Sequence, residues 1–122
     1  MSADQHPSDV PLSVTVERPA DTTVVVRAVG DVDTGTVGLV RTCVDEEIAR
    51  GARHVVLDLA AVAFMGSAGL ALLVEQRDAA VQRGGSLRLA APPRPVIRPL
   101  TITGLLELFD VHDDLPSALA DL

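Results

Sequence analysis

From Leu59 to Val74 the chain runs without a single charged residue, bracketed by Asp58 and Glu75. Such a run has two physical outcomes. It crosses a bilayer as one helix, or it is buried in a globular core. A membrane helix needs about 20 consecutive apolar residues. This run is shorter, and Gly66, Ser67 and Gly69 interrupt it. It therefore reads as a buried strand, a loop, and the opening of a helix, in a soluble cytoplasmic protein with no membrane partner. The polar stretch from Met1 to Pro11 lacks the basic and apolar regions of a signal peptide. It reads as a flexible leader (residues 1–11) ahead of a single domain over residues 12–122.

The remaining pattern alternates between two periods. Leu12 to Glu17 changes from apolar to polar at each step, which is a strand with one wet face. Arg18-Pro19-Ala20-Asp21 signals a turn, and Thr22 to Val29, rich in β-branched residues, gives a second strand paired as a hairpin. Gly30 to Thr34 ends that strand and opens a helix, with Asp33 or Thr34 as its cap. Val37, Val40, Val44 and Ile48 form one helical face, and Gly51 closes it. His54 to Leu59 is a short apolar strand suited to a central position. The next helix starts after Ser67, with Leu70, Leu73, Val74 and Val81 as its buried stripe. Ser86 to Ala90 is a strand. A weaker helical segment spans Pro95 to Thr103 despite Pro99, which removes a helical hydrogen bond. Leu108 to Val111 is an edge strand, and Leu115 to Leu122 a last helix capped by Asp114. The order β-β-α-β-α-β-α-β-α predicts an α/β fold: a mixed, mainly parallel sheet of four to five strands with about four helices.

Composition removes whole classes of function. The formal net charge is -7, which repels DNA and RNA. Aromatics are 2% of the chain, with no Trp or Tyr, so stacking platforms for bases and sugars are missing. All ten basic residues are Arg. Without Lys there is no Schiff base, no Walker-type phosphate loop and no phosphoacceptor site of the receiver-domain kind. No nucleic-acid partner, cofactor or metal is expected. His6, His54 and His112 are too scattered for a zinc site. Asp31 and Asp33 could hold a cation, but such a pair more often caps a helix and shapes a turn. The lone Cys43 cannot form an internal disulfide and reads as a buried structural thiol.

The informative stretch is Val55 to Leu70. Ser67 stands where a buried strand gives way to a helix. On spacing alone it is a helix cap. The same position also presents a hydroxyl to a positive helix end, where an added phosphate is tolerated. Gly66 and Gly69 leave room for a partner to approach. A hydrolase nucleophile elbow requires Gly-x-Ser-x-Gly, and Met65 stands in its first position. The chain therefore reads as a non-enzyme.

These pieces together resemble a STAS domain of the anti-sigma factor antagonist type. Gly30-Asp31-Val32-Asp33 resembles the Gly-[Asp/Glu]-x-Asp that follows the family's second strand. Val55, Leu57, Asp58 and Leu59 resemble its VxLDL strand. Phe64-Met65-Gly66-Ser67-Ala68-Gly69-Leu70 resembles its F-[ILM]-D-S-[ST]-G-L segment. Gly84-Gly85 and Thr103-Gly104-Leu105 continue the order, so the likeness covers residues 12–122.

The resemblance implies a STAS fold and a regulatory role in bacterial stress-response transcription. The chain would bind an anti-sigma factor that is also a serine protein kinase, freeing a sigma factor, and phosphorylation of Ser67 would switch that binding off. The docking face would comprise Asp31, Asp33, Thr34, Met65, Gly66, Ser67, Ala68, Gly69 and Leu70, on a monomer or weak dimer. Two positions depart from the pattern: the family's Asp before the serine is Gly66, and the residue after it is Ala68. They imply the alternative of a divergent STAS scaffold that interacts without being phosphorylated.

Overall fold

The computed structural model describes residues 12–122; the leader expected over residues 1–11, with His6, lies outside the described residues. The elements are β1 (Ser13–Ala20), β2 (Thr23–Val32), α1 (Val37–Ala49), β3 (His54–Met65), α2 (Ser67–Gln82), β4 (Ser86–Ala90), α3 (Arg94–Ile102), β5 (Asp110–His112) and α4 (Leu115–Leu119). A short 3-10 turn, Leu106–Leu108, precedes β5. The five strands form one sheet in the order β1-β2-β3-β4-β5. β1 pairs antiparallel with β2, and every other neighbour is parallel. This is the expected mixed, mainly parallel α/β sheet, with five strands and four helices among the described residues.

The strand order explains the layering. Each parallel strand is followed by a crossover helix, and successive crossovers of one hand in a sequential sheet stack their helices on one face. α1 contributes Val37, Val40 and Val44 to the core there, α2 contributes Leu72, Leu73 and Ala80, and α3 contributes Val96 and Leu100. They pack on Val24 and Val26 of β2, Leu57 and Leu59 of β3, and Leu89 of β4. α4 covers the opposite face, where Ala118, Leu115 and Leu119 meet Val25, Val56 and Ala90. With both faces covered, Val55 to Leu59 is buried without interruption, as a central parallel strand requires.

The uncharged run divides as expected into strand, loop and helix, but the boundaries move. β3 continues six residues past Leu59 to Met65. α1 begins at Val37, so neither Asp33 nor Thr34 is its cap. α2 buries Gly69, Leu72, Leu73, Gln76 and Ala80, while Val81 is 65% exposed. The expected stripe was therefore rotated: apolar residues surround most of α2, and the face that carries glycine is the one that reaches the sheet. α3 runs through Pro99. The ring leaves the Pro95 carbonyl without its helical donor, at an exposed first turn where water can serve. The edge strand begins at Asp110, because Leu106 to Leu108 coil into the 3-10 turn. Asp114 caps α4 as expected, accepting the Ser117 N–H at 2.9 Å.

No helix among the described residues is long and apolar enough to cross a membrane. Cys43 is half-buried rather than fully buried. It packs beside the core from α1, and burial pushes its thiol pKa up.

Candidate functional site

Because β2, β3, β4 and β5 run parallel, their C-terminal ends share one edge of the sheet. In open α/β sheets this edge is where sites are built. Two of its loops carry the residues singled out above, and the backbone joins them. Asp31 pairs with Phe64 and Val32 with Met65, and the Gly66 N–H donates to the Val32 carbonyl at 2.9 Å. The Asp31–Asp33 segment and the Ser67 loop are therefore neighbours, fixed by strand pairing.

The first loop is a closed polar knot. The Asp33 carboxylate accepts the N–H groups of Gly35 at 2.9 Å and Thr36 at 3.1 Å. The Thr36 hydroxyl donates to the Asp31 carbonyl at 2.8 Å and accepts the Asp33 N–H at 3.0 Å. This is the turn-shaping role of an Asp in such a position. Asp33 thus shapes the turn ahead of α1, and Thr36 is the helix's N-cap position. Thr34 is exposed at the tip. Sequence reasoning missed Thr36, although a Thr three residues after an Asp ahead of a helical stripe is a readable turn signal.

The second loop is set by two glycines with different tasks. Gly66 is the N-cap of α2, with φ -85° and ψ -177°, and Ser67 is the first helical residue. Ser67 is therefore not the cap: the strand ends one residue earlier than a serine cap would need. Ser67 is exposed at the start of the helix. The Gly69 and Leu70 N–H groups turn back to the Gly66 carbonyl. The earlier N–H groups of the first turn have no intrahelical partner, which gives this end its positive character. Gly69 lets α2 seat closely on β2 and β3. A Cβ there would lie 2.7 Å from Met65 Cγ and 3.0 Å from Val32 Cγ1. Met65 is buried beneath it, Ala68 and Leu70 are half-buried, and α1 is tied to α2 by a two-pronged pair from Arg41 to Glu75 at 2.9 and 3.1 Å.

Against Gly66 stands a side chain not expected in the site. Phe64, one of two aromatics in the chain, is 51% exposed. Its ring lies 3.3 Å from where a Gly66 Cβ would be. In the sequence it sits inside an apolar run and reads as core. In the structure it forms an apolar step over Gly66, its backbone paired with Asp31.

Comparisons with known proteins bear on the family and the fold. The STAS domain family matches residues 13–118. The Anti-sigma F factor antagonist of Paenibacillus polymyxa is 33% identical over 99 residues, covering 80% of this chain and 85% of that protein. An anti-sigma factor antagonist from Mycobacterium paratuberculosis is 27% identical, with a TM-score of 0.77 over 93% of this chain and 94% of that one. The anti-sigma factor antagonist SpoIIAA shares the fold in its unphosphorylated form, at 21% identity and a TM-score of 0.70 over 81% and 87% of the two chains. The phosphorylated form of the Bacillus protein matches at 20% identity and a TM-score of 0.66 over 81% and 90%. On the family match, the relative and the shared sheet order, the chain belongs to the STAS domain family and stands with its anti-sigma factor antagonists.

Proposed function

We propose that the chain is an anti-sigma factor antagonist that binds an anti-sigma factor with serine kinase activity and is switched off by phosphorylation of Ser67. The observation that carries this reading is the exposed hydroxyl of Ser67, on the first residue of α2, beside a loop that the Gly66–Val32 hydrogen bond holds next to Asp31 and Asp33. The docking face comprises Asp31, Asp33 and Thr34 with Met65 to Leu70. Met65 and Gly69 support it from below; Thr34 and Ser67 meet the partner.

In the transfer step, Ser67 Oγ bonds to the γ-phosphorus of ATP bound to the partner, its proton passes to a base of the kinase, and the bond from that phosphorus to the bridging oxygen breaks to release ADP. The product adds about -1.5 to -2 charges at neutral pH to a chain of formal charge -7. The charge costs little in the free protein, because α2 presents its positive end there. In a closed interface the same charge must shed water, and the complex is released.

The reading is supported by a fold shared with a protein solved in both unphosphorylated and phosphorylated forms. Gly66 favours a second reading, a scaffold that interacts without being modified, because it removes the carboxylate that the family places beside the serine. Intact-mass and peptide mass spectrometry after incubation with ATP and host extract separates the two. One phosphate mapped to Ser67, with Ser67→Ala binding the partner at least about tenfold more tightly than Ser67→Asp, supports the switch. Equal affinities of the two variants, and no phosphate in an extract that modifies a control family member, refute it.

A further inference from the structure

β3 carries 12 residues against 10 in β2, and the surplus is absorbed at two places. Thr23 to Arg27 face His54 to Asp58 one for one. Val29 then faces Ala61, and Asp31 faces Phe64. Each shift inserts one residue into β3. The inward positions change step accordingly: Val55, Leu57 and Leu59 alternate, and Val62 and Met65 follow at intervals of three.

Asp58 is the last residue before the first shift, and it is also where pairing with β4 ends, at Ala90. It is 5% exposed. One carboxylate oxygen accepts the Ala60 N–H at 3.2 Å, and the other lies 3.7 Å from the Arg27 guanidinium. A carboxylate this deep in a sheet is expensive unless its hydrogen bonds serve the fold. Here its bond reaches the segment that the shift inserts, since Leu59 and Ala60 together face Ala28. The contact with Arg27 is longer and reaches a half-exposed side chain, so it is the weaker anchor.

We infer that Asp58 is a positioning residue for the Ser67 loop: its carboxylate holds the inserted residue in β3 and thereby sets which groups arrive at the sheet edge. If the first shift closed while the second stayed, Phe64 would slide opposite Val32 in place of Met65. Phe64 would then turn to the core, and Gly66 and Ser67 would advance by one residue, about 3.3 Å. The Gly66–Val32 hydrogen bond and the seat of Gly69 over Met65 would both be lost. The consequence for phosphorylation rests on the function proposed above; the consequence for register does not.

Three variants test this by NMR on the full chain, reading amide exchange at Gly66 and contacts between β2 and β3. Asp58→Asn keeps an acceptor for Ala60 and drops the charge. Arg27→Ala removes the ion pair and keeps the acceptor. Asp58→Ala removes both. Asp58→Asn and Arg27→Ala are expected to retain wild-type protection at Gly66 and the Val32–Met65 contact. Asp58→Ala is expected to lower Gly66 protection about tenfold relative to the β2 and β4 core amides and to bring Phe64 opposite Val32. Wild-type register in Asp58→Ala overturns the assignment, and so does lost protection in either of the other two, which carry the test if Asp58→Ala does not fold. Ser67 phosphorylation in the same variants should track Gly66 protection. Its absence even in the wild type, with the register results as expected, would refute the switch and leave Asp58 in its role.

Discussion

Gly69→Ala sets two opposing effects against each other at the base of the candidate site. Helix propensity favours alanine over glycine by about 1 kcal/mol, and by less in the first turn. Against this, the new methyl would sit 2.7 Å from Met65 Cγ and 3.0 Å from Val32 Cγ1, where carbon atoms prefer about 3.5–4.0 Å. Met65 has a flexible thioether and can turn aside. Val32 is β-branched, buried and held in a strand, so it yields little. Overpacking of this kind costs about 1–3 kcal/mol. The net expectation is a loss of about 1–2 kcal/mol, or about 4–8 °C in Tm for a chain of this size. The chain has no Trp or Tyr, so urea unfolding is best followed by far-UV circular dichroism. A double-mutant cycle isolates the contact. In a Val32→Ala background, where the unyielding neighbour is gone and Met65 can turn aside, Gly69→Ala should be neutral or stabilising, a coupling of at least about 1 kcal/mol. The reasoning fails if Gly69→Ala stabilises the wild type by the propensity alone, or if it costs the same in both backgrounds.

Three further perturbations address other links. Phe64→Ala should leave stability within about 0.5 kcal/mol, since the ring is half in water, yet weaken partner binding about tenfold or more; isothermal calorimetry showing unchanged affinity would remove Phe64 from the interface. Gly66→Asp should fold normally, because φ -85° and ψ -177° suit any residue and the nearest obstacle is the mobile rim of Phe64. An Asp at this N-cap position adds a few tenths of a kcal/mol, so a clear fall in Tm would contradict the geometry. The buried Glu47 carboxylate receives Arg18 Nε and Nη2 at 2.7 and 2.6 Å, and that hydrogen bonding holds its pKa below the usual glutamate value. A folded-state pKa below the unfolded one gives stability above the ordinary range, about 4.3, that disappears as pH falls through the folded value. Thermal melts in acid should therefore fall less steeply in Arg18→Ala than in the wild type, and parallel slopes would refute the pairing.

Much of the architecture was legible because two periods survive in the chain. Leu12 to Glu17 alternates as a half-wet strand must, and Val37, Val40 and Val44 recur as a helix must; both elements form, although β1 runs on through the turn expected at Arg18 to Ala20 and α1 starts only at Val37. The failures have a common physical origin. From Leu59 to Ala63 the sequence is Leu-Ala-Ala-Val-Ala, which carries neither period. Nothing local marks the end of β3 there, and the strand continues because β2 offers a paired edge as far as Val32. On α2, Leu70 and Val74 compete with Leu72 and Ala80 for the face that also buries Leu73. Periodicity cannot choose among them. Close approach does, and Gly69 is the residue that permits it.

The candidate site divides along the same line. Its chemistry is written in residue types: a hydroxyl between glycines, with two carboxylates after the preceding strand. Its orientation depends on strand register, which belongs to the pairing of β2 with β3. Two inserted residues restore the original parity by the time β3 reaches Met65, so Met65 faces the core as an uninterrupted strand would also have it. Only the residues between the shifts betray them: Val62 is buried where an uninterrupted strand would turn it outward. An exposed Phe64 over Gly66 and a buried Met65 under Gly69 are thus two results of one register. A substitution that moves one must move the other, which ties the apolar step a partner would meet to the hydroxyl that would control the meeting.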